Sequence, residues 1–171
     1  MLFRSLWGES LMAQTYDAIA SYTVSGSSTT TVTFNSIASS FTDLILVVNA
    51  ASTGNYYAYT YFNSDTGANY SRTEVSGNGS ASSSARFSNL IPITLDTTLG
   101  ATSNIIHFMN YANSSTYKSV LYRFNAANSI TGAGVGLWRN TSTINRIDIT
   151  GYGATTYVSG STFTLYGVKS A

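Results

Sequence analysis

Cysteine is absent from this chain, histidine and proline each occur once, and charged residues make up only 9% of it against about 25% in an average domain. Without cysteine there is neither a disulfide framework nor a thiolate metal site, so packing and hydrogen bonds alone must hold the fold. The basic residues Arg72, Arg86, Lys118, Arg123, Arg139, Arg146 and Lys169 are scattered singly, and the formal net charge is +1. That is not the electrostatic footprint of a nucleic-acid binder. No apolar run approaches the roughly 20 residues that cross a bilayer. Arg4 and Glu9 interrupt the apolar residues at the N-terminus, which argues against a secretory signal as well as a membrane span.

Serine, threonine, asparagine, glycine and tyrosine take the place of the missing charge. Such a composition, rich in β-branched and aromatic residues and poor in Lys, Glu and Ala, suits pleated sheets better than helices. An all-β class follows. At 171 residues the chain fits one domain that can bury roughly 70% of its unfolded surface, with no cofactor required for folding. The first eleven residues differ from the rest, because Leu2, Phe3, Leu6, Trp7 and Leu11 fall on one face of a helix. They read either as an amphipathic arm, residues 1–11, or as sequence preceding a natural start at Met12; the β domain then covers 12–171.

From Tyr16 onward, short alternating runs separated by Gly, Ser, Asn and Thr clusters point to a many-stranded antiparallel fold. Thr31–Phe34 alternates plainly, and Leu44–Val48 is a continuous apolar run that suits a central strand covered on both faces. Asn55 to Asn63 places Tyr57, Tyr59 and Tyr61 on one face and Tyr56, Ala58, Thr60 and Phe62 on the other. Residues 76–89, rich in Gly and Ser and without period, read as a long surface loop. Pro92 cannot donate to a ladder, so its strand is an edge or begins there. With the segments 104–112, 116–125, 134–139, 144–150 and 161–168 the total is about nine strands, as in an antiparallel two-sheet β-sandwich, with the jelly roll among the arrangements that fit.

Chemistry is thinly represented. His107 lies in an apolar strand and reads as a hydrogen-bonded core or interface residue rather than a base, and no serine sits in a G-x-S-x-G elbow. Asp65 and Glu74 flank one turn and form the best carboxylate pair, yet Asp65 reads as a turn-former and Glu74 as a partner of Arg72. The stretch 62–70 fails the calcium-loop template because Gly67 is fifth from Asn63, not sixth, and an Asx turn with Gly67 at positive φ is expected instead. Asn69, Asn78, Asn113 and Asn140 each begin an N-x-Ser tripeptide, which in so Asn- and Ser-rich a chain arises by chance. The residues expected to make contacts are Tyr57, Tyr59 and Tyr61, because tyrosine suits subunit interfaces and half-buried sheet faces and also stacks on sugar rings; the sequence leaves core, interface and glycan-binding open for this face. No catalytic residue, metal ligand or cofactor is assigned.

Four stretches, FNSDTGANYSR (62–72), MNYANSSTYKSVL (109–121), VGLWRNTSTI (135–144) and GSTFTLYGVK (160–169), resemble in content and order a widespread group of small bacteriophage virion proteins, variously tail-fibre-like or capsid structural. The resemblance spans Tyr16 to Lys169 and has no catalytic motif, so it implies a non-enzymatic place on the virion after synthesis in the host cytoplasm. A rigid sandwich with a neutral hydrogen-bonding surface and a terminal arm suits a capsid decoration, or cement, protein that clamps the major capsid protein as a homo-oligomer, most simply a trimer. The alternative is a receptor-binding module of a tail fibre that recognises a host glycan. The missing shaft, repeat or coiled coil weighs against it. On the first reading the arm residues Leu2, Phe3, Leu6 and Trp7 also touch the partner.

Overall fold

The computed structural model describes residues 15–54, 57–88, 91–94, 102–126 and 130–169. The arm residues Leu2, Phe3, Leu6 and Trp7, and Tyr56 of the tyrosine run, lie outside that range. Among the described residues twelve strands run in order: β1 (Tyr16–Thr23), β2 (Thr31–Phe34), β3 (Asp43–Asn49), β4 (Tyr57–Phe62), β5 (Tyr70–Gly77), β6 (Ser82–Phe87), β7 (Ile91–Thr94), β8 (Thr102–Met109), β9 (Lys118–Ala126), β10 (Ile130–Trp138), β11 (Ile147–Gly151) and β12 (Thr162–Val168). They form an eight-stranded sheet, β1-β12-β3-β8-β9-β10-β5-β6, and a four-stranded one, β2-β11-β4-β7, antiparallel at every pairing. The all-β sandwich expected from the sequence is what the chain adopts.

Eight of these strands make a jelly roll. The chain alternates between β1-β12-β3-β8 on one side and β2-β11-β4-β7 on the other, the strand order of two interlocked Greek keys. Two hairpins, β5–β6 and β9–β10, are inserted into that path and extend the first sheet beyond the second. The sandwich core lies between Leu44, Leu46 and Val48 of β3, Phe108 of β8 and Leu165 of β12 on one side, and Val32, Phe34, Phe62, Ile147 and Ile149 on the other, all buried. Phe62 sits at its centre, edge-on to Phe108 at 5.5 Å and to Trp138 at 5.4 Å between centroids.

Three sequence expectations change. The segment 76–89 is not a loop through most of its length but the β5–β6 hairpin, closed by Asn78, whose Oδ1 accepts the Ser80 and Ala81 amides. The apolar run Leu44–Val48 is central, between β12 and β8, but only one of its faces is fully covered: Leu44, Leu46 and Val48 are buried while Ile45 and Val47 are only partly buried. Positive φ falls at Asn63 and Ser64 rather than at Gly67. The Pro92 strand, β7, is the edge of the small sheet, as its missing amide hydrogen requires.

Candidate functional site

The tyrosine run becomes an outward-facing ladder on the small sheet. In β4, Ala58, Thr60 and Phe62 are buried and strict alternation puts Tyr57, Tyr59 and Tyr61 on the other face, Tyr57 50% exposed, Tyr59 half-buried, and Tyr61 half-buried against the core with its ring 6.1 Å from that of buried Tyr70. Tyr152, in the single helical turn Tyr152–Ala154 after β11, adds a fourth ring edge-on to Tyr59 at 5.3 Å; Tyr61 meets Tyr59 edge-on at 6.4 Å. Register puts Thr33 and Asp148 in one row with Tyr61, and Thr31 and Thr150 in the next with Tyr59. Thr33 donates to Asp148 Oδ1 at 2.7 Å, and Arg146 holds both oxygens of Asp148 through Nε at 2.8 and 3.0 Å. Partial burial, then the neighbouring phenols Tyr152 and Tyr61, raise the pKa of Tyr59; burial raises that of Tyr61. All of this face is therefore neutral or charge-paired around neutral pH. Tyr152 escaped the sequence reading because it lies outside any alternating run.

The two carboxylates that looked like a pair belong to separate networks. Asp65 accepts from Gly67 N and Asn69 Nδ2 at 2.9 Å each and from buried Trp138 Nε1 at 2.7 Å, while its carbonyl accepts the Tyr70 hydroxyl at 2.8 Å. Burial alone would push its pKa up, but the hydrogen bonds from Trp138, Asn69 and Gly67 outweigh it and hold the carboxyl below its ordinary value. With both oxygens occupied by N–H donors, Asp65 is a turn anchor. Glu74 accepts from Arg72 Nε at 3.2 Å and from the buried Tyr122 hydroxyl at 2.9 Å, and the Arg72 guanidinium lies 3.7 Å over the Phe87 ring. Burial, then the Glu74 charge and its hydrogen bond, raise the pKa of Tyr122. Among the described residues no group of three or more His, Asp or Glu side chains is placed to hold a metal ion. His107 Nε2 lies 2.8 Å from Asp43 Oδ2, on the outward face of the large sheet, and Asp43 also accepts the Asn110 amide at 2.6 Å.

Three of the recognisable stretches, 62–72, 109–121 and 135–144, meet at one end of the sandwich. Trp138 reaches Asp65, Asn63 Nδ2 donates to Thr143 O at 2.8 Å, Thr143 Oγ1 donates to Ala112 O at 2.9 Å, and the Arg139 amide donates to Asn69 O at 2.8 Å. Buried Lys118 ties the knot, donating from Nζ to the carbonyls of Asn113, Thr116 and Thr141, and burial lowers its pKa. The asparagines that opened N-x-Ser tripeptides do structural work: Asn113 Oδ1 accepts from Ser115 and Thr116, Asn140 Oδ1 from Ser142, and Asn69 donates to Asp65. These stretches are distinctive because they lock loops together.

The outer face of the eight-stranded sheet is the feature that sequence reading missed. One register row runs Tyr166, Ile45, His107, Leu121 and Val135; the next runs Val47, Ile105, Arg123, Ala133 and Val75. Leu121, Val135 and Val75 are 48%, 52% and 58% exposed. The signal was present in β3 and β8, where Ile45, Val47 and Ile105 are apolar at the alternate phase to the buried residues.

No family model matches the chain, and no curated protein does. No helix among the described residues is long and apolar enough to cross a membrane.

Proposed function

We propose that this chain is a non-enzymatic structural protein of a bacteriophage virion, a capsid decoration protein that sits on the outer surface of the shell and stabilises the major capsid lattice. The observation that carries this reading is the tyrosine ladder: Tyr57, Tyr59 and Tyr152 outward with Tyr61 half-buried beside them, flanked by threonine hydroxyls and the paired Arg146–Asp148, on the small sheet of a jelly roll. Tyrosine supplies contact area with little side-chain entropy to lose, and a charge-paired surround avoids the desolvation of lone ions. This is the chemistry of a protein–protein contact. The resemblance to virion proteins supplies the lattice as partner, and lattice symmetry suits a trimer.

One observation favours a second reading. Exposed tyrosines beside hydroxyls and a carboxylate–guanidinium pair are also what a sugar ring stacks on and hydrogen-bonds to, which would make the chain a glycan-binding tail adhesin. Mixing undecorated capsids with the parent protein and with Tyr57→Ser/Tyr59→Ser separates the two. The parent is expected to occupy the shell and raise its melting temperature, and the variant to do neither while keeping its own fold. Equal occupancy by both removes this face from the contact; no occupancy by either, with binding of the parent to host-surface glycan, replaces decoration by adhesion. A Met12-start protein in the same mixture measures what Leu2, Phe3, Leu6 and Trp7 add.

A further inference from the structure

Three turn asparagines share a local setting and differ in the residue that follows. Asn78 Oδ1 accepts the Ser80 and Ala81 amides at 3.0 and 2.8 Å, Asn113 Oδ1 accepts those of Ser115 and Thr116 at 2.8 and 2.9 Å, and Asn140 Oδ1 accepts that of Ser142 at 2.9 Å. The next residue is Gly79 in the first case, Ser114 in the second and Thr141 in the third. Asn78–Gly79 is the one Asn-Gly pair in the sequence. It lies at the tip of the β5–β6 hairpin, at the edge of the large sheet, where Asn78, Gly79 and Ser80 are all exposed.

The backbone nitrogen after an asparagine can attack the side-chain amide carbon and close a five-membered ring. That step needs a free nitrogen, a polarised carbon and room for the ring. The hairpin tip supplies all three. The Gly79 amide donates to no acceptor among the described residues, and a Cβ placed on Gly79 would meet nothing within 4 Å, so the approach is open. Gly79 has no side chain to crowd the ring, and its φ of 86° is one that other residues resist. The Ser80 and Ala81 amides already point at Oδ1, where negative charge develops as the ring closes, at the distances that oxyanion-stabilising donors take. Asn113 has the same two amide donors without the glycine, and so isolates what the glycine adds.

We infer that Asn78 is a site of spontaneous modification that needs no enzyme and takes water as its only co-reactant. The Gly79 nitrogen gives its proton to solvent base and bonds to Asn78 Cγ, the Cγ–Nδ2 bond breaks, and ammonia leaves a succinimide. Water then opens the ring. Cleavage of the new Cγ–N bond gives aspartate in a normal backbone, and cleavage of the original peptide C–N bond gives isoaspartate, whose backbone runs through Cβ and Cγ. An amide and a water become a carboxylate and an ammonium ion, and nothing is oxidised or reduced. Either product cancels the chain's formal net charge of +1 and sets a carboxylate beside β6, whose one charged residue is Arg86. The chemistry is the chain's own, so it stands or falls apart from the decoration reading.

The test is peptide mapping of the full chain kept folded in warm, mildly alkaline buffer, beside Asn78→Ser, which keeps an oxygen acceptor at the turn but has no amide to lose. Circular dichroism checks that both hold the β fold, which a change at an exposed hairpin tip should not disturb. The parent is expected to form aspartate and isoaspartate at Asn78 about tenfold faster than at Asn113, equivalent to about 1.4 kcal/mol of barrier. Isoelectric focusing should show the matching species, one charge more acidic, in the parent and not in Asn78→Ser over the same time. Asn78 left intact overturns the inference, as does conversion at Asn113 or Asn140 that keeps pace with it. An acidic species that forms equally fast in Asn78→Ser overturns it too, by giving the charge change to another residue.

Discussion

The jelly-roll strands and the four strands that extend the large sheet are built on different physics. In the jelly roll, two sheets face each other and aliphatic and aromatic side chains fill the gap, with Leu44, Leu46, Phe62, Ile149 and Phe163 all at 0% exposure. In the extension the inward positions of β10 run Ile130, Gly132, Gly134, Gly136 and Trp138: Trp138, with Tyr70 and Val120, joins the sandwich core, while the rings of Phe124 and Tyr122 from β9 lie across Gly132 and Gly134. Beyond those rings come Arg72, Glu74 and Phe87, a polar and cation–π network. One half is held by interdigitated volume, and the far part of the other by glycine backbone under rings and by hydrogen bonds. A lesion should read differently in each.

The largest effect belongs to the jelly roll. Leu46→Ala removes a fully buried side chain from the central strand β3 and should cost about 2–5 kcal/mol in chemical denaturation, as one cooperative loss. Stability equal to the parent would mean that β3 is not central to the core.

The extension should answer next and locally. A Cβ at Gly134 would fall 2.4 Å from Tyr122 Oη and 2.8 Å from the Thr73 carbonyl, and the second is backbone that cannot swing aside. Gly134→Ala is expected to cost about 1–3 kcal/mol. Hydrogen exchange should quicken in β5, β6 and β10 while β3 and β12 stay protected; uniform loss of protection would merge the two halves into one unit.

Asp65 sits at the seam, in the turn between β4 and β5, and its bond to Trp138 links that turn to β10. Asp65→Asn should cost about 1–2 kcal/mol at neutral pH through loss of charge-assisted hydrogen bonds. The pH dependence has a definite sign. A carboxyl held below its ordinary value contributes stability that is complete above the unfolded-state value and is lost as pH falls through the lower folded-state one. The parent should therefore lose stability on acidification more steeply than Asp65→Asn, and parallel acid limbs would remove Asp65 from this role.

The smallest effect carries the opposite sign. Thr60 Oγ1 is buried in the sandwich core with no hydrogen-bond partner among the described residues. Thr60→Val keeps the shape and removes the unsatisfied hydroxyl, so thermal denaturation should show no loss and a gain of up to about 1 kcal/mol. A loss of that size would mean that the hydroxyl finds a partner.

The same difference explains what the sequence made legible. Alternation reports a sheet with one face covered and the other wet, which is why β2, β4 and β12 and the shared face of Tyr57, Tyr59 and Tyr61 could be read directly, though not which way that face turns; the edge position of Pro92 was one of the two its missing amide allows. Asp65 as turn-former, and Glu74 with Arg72, were legible from short-range chemistry. The β5–β6 hairpin was not, because Ser82, Ser83 and Ser84 are exposed whichever way they point, and no period survives where neither face is covered. β10 was read only from its end because Gly132 and Gly134 erase the inward half of its alternation. β1, exposed along most of its length, fell silent for the same reason. The outer face of β3 is not legible because an apolar run at both phases, Leu44–Val48, reads as a strand covered on both faces.

The proposed role, decoration of a shell through the tyrosine face, is tested most directly by imaging the intact particle. Density of this fold is expected to repeat over the outer surface of the capsid, with the small sheet carrying Tyr57, Tyr59, Tyr61 and Tyr152 turned toward the major capsid protein. Density for it at the tail alone, with a bare shell, would overturn the proposal.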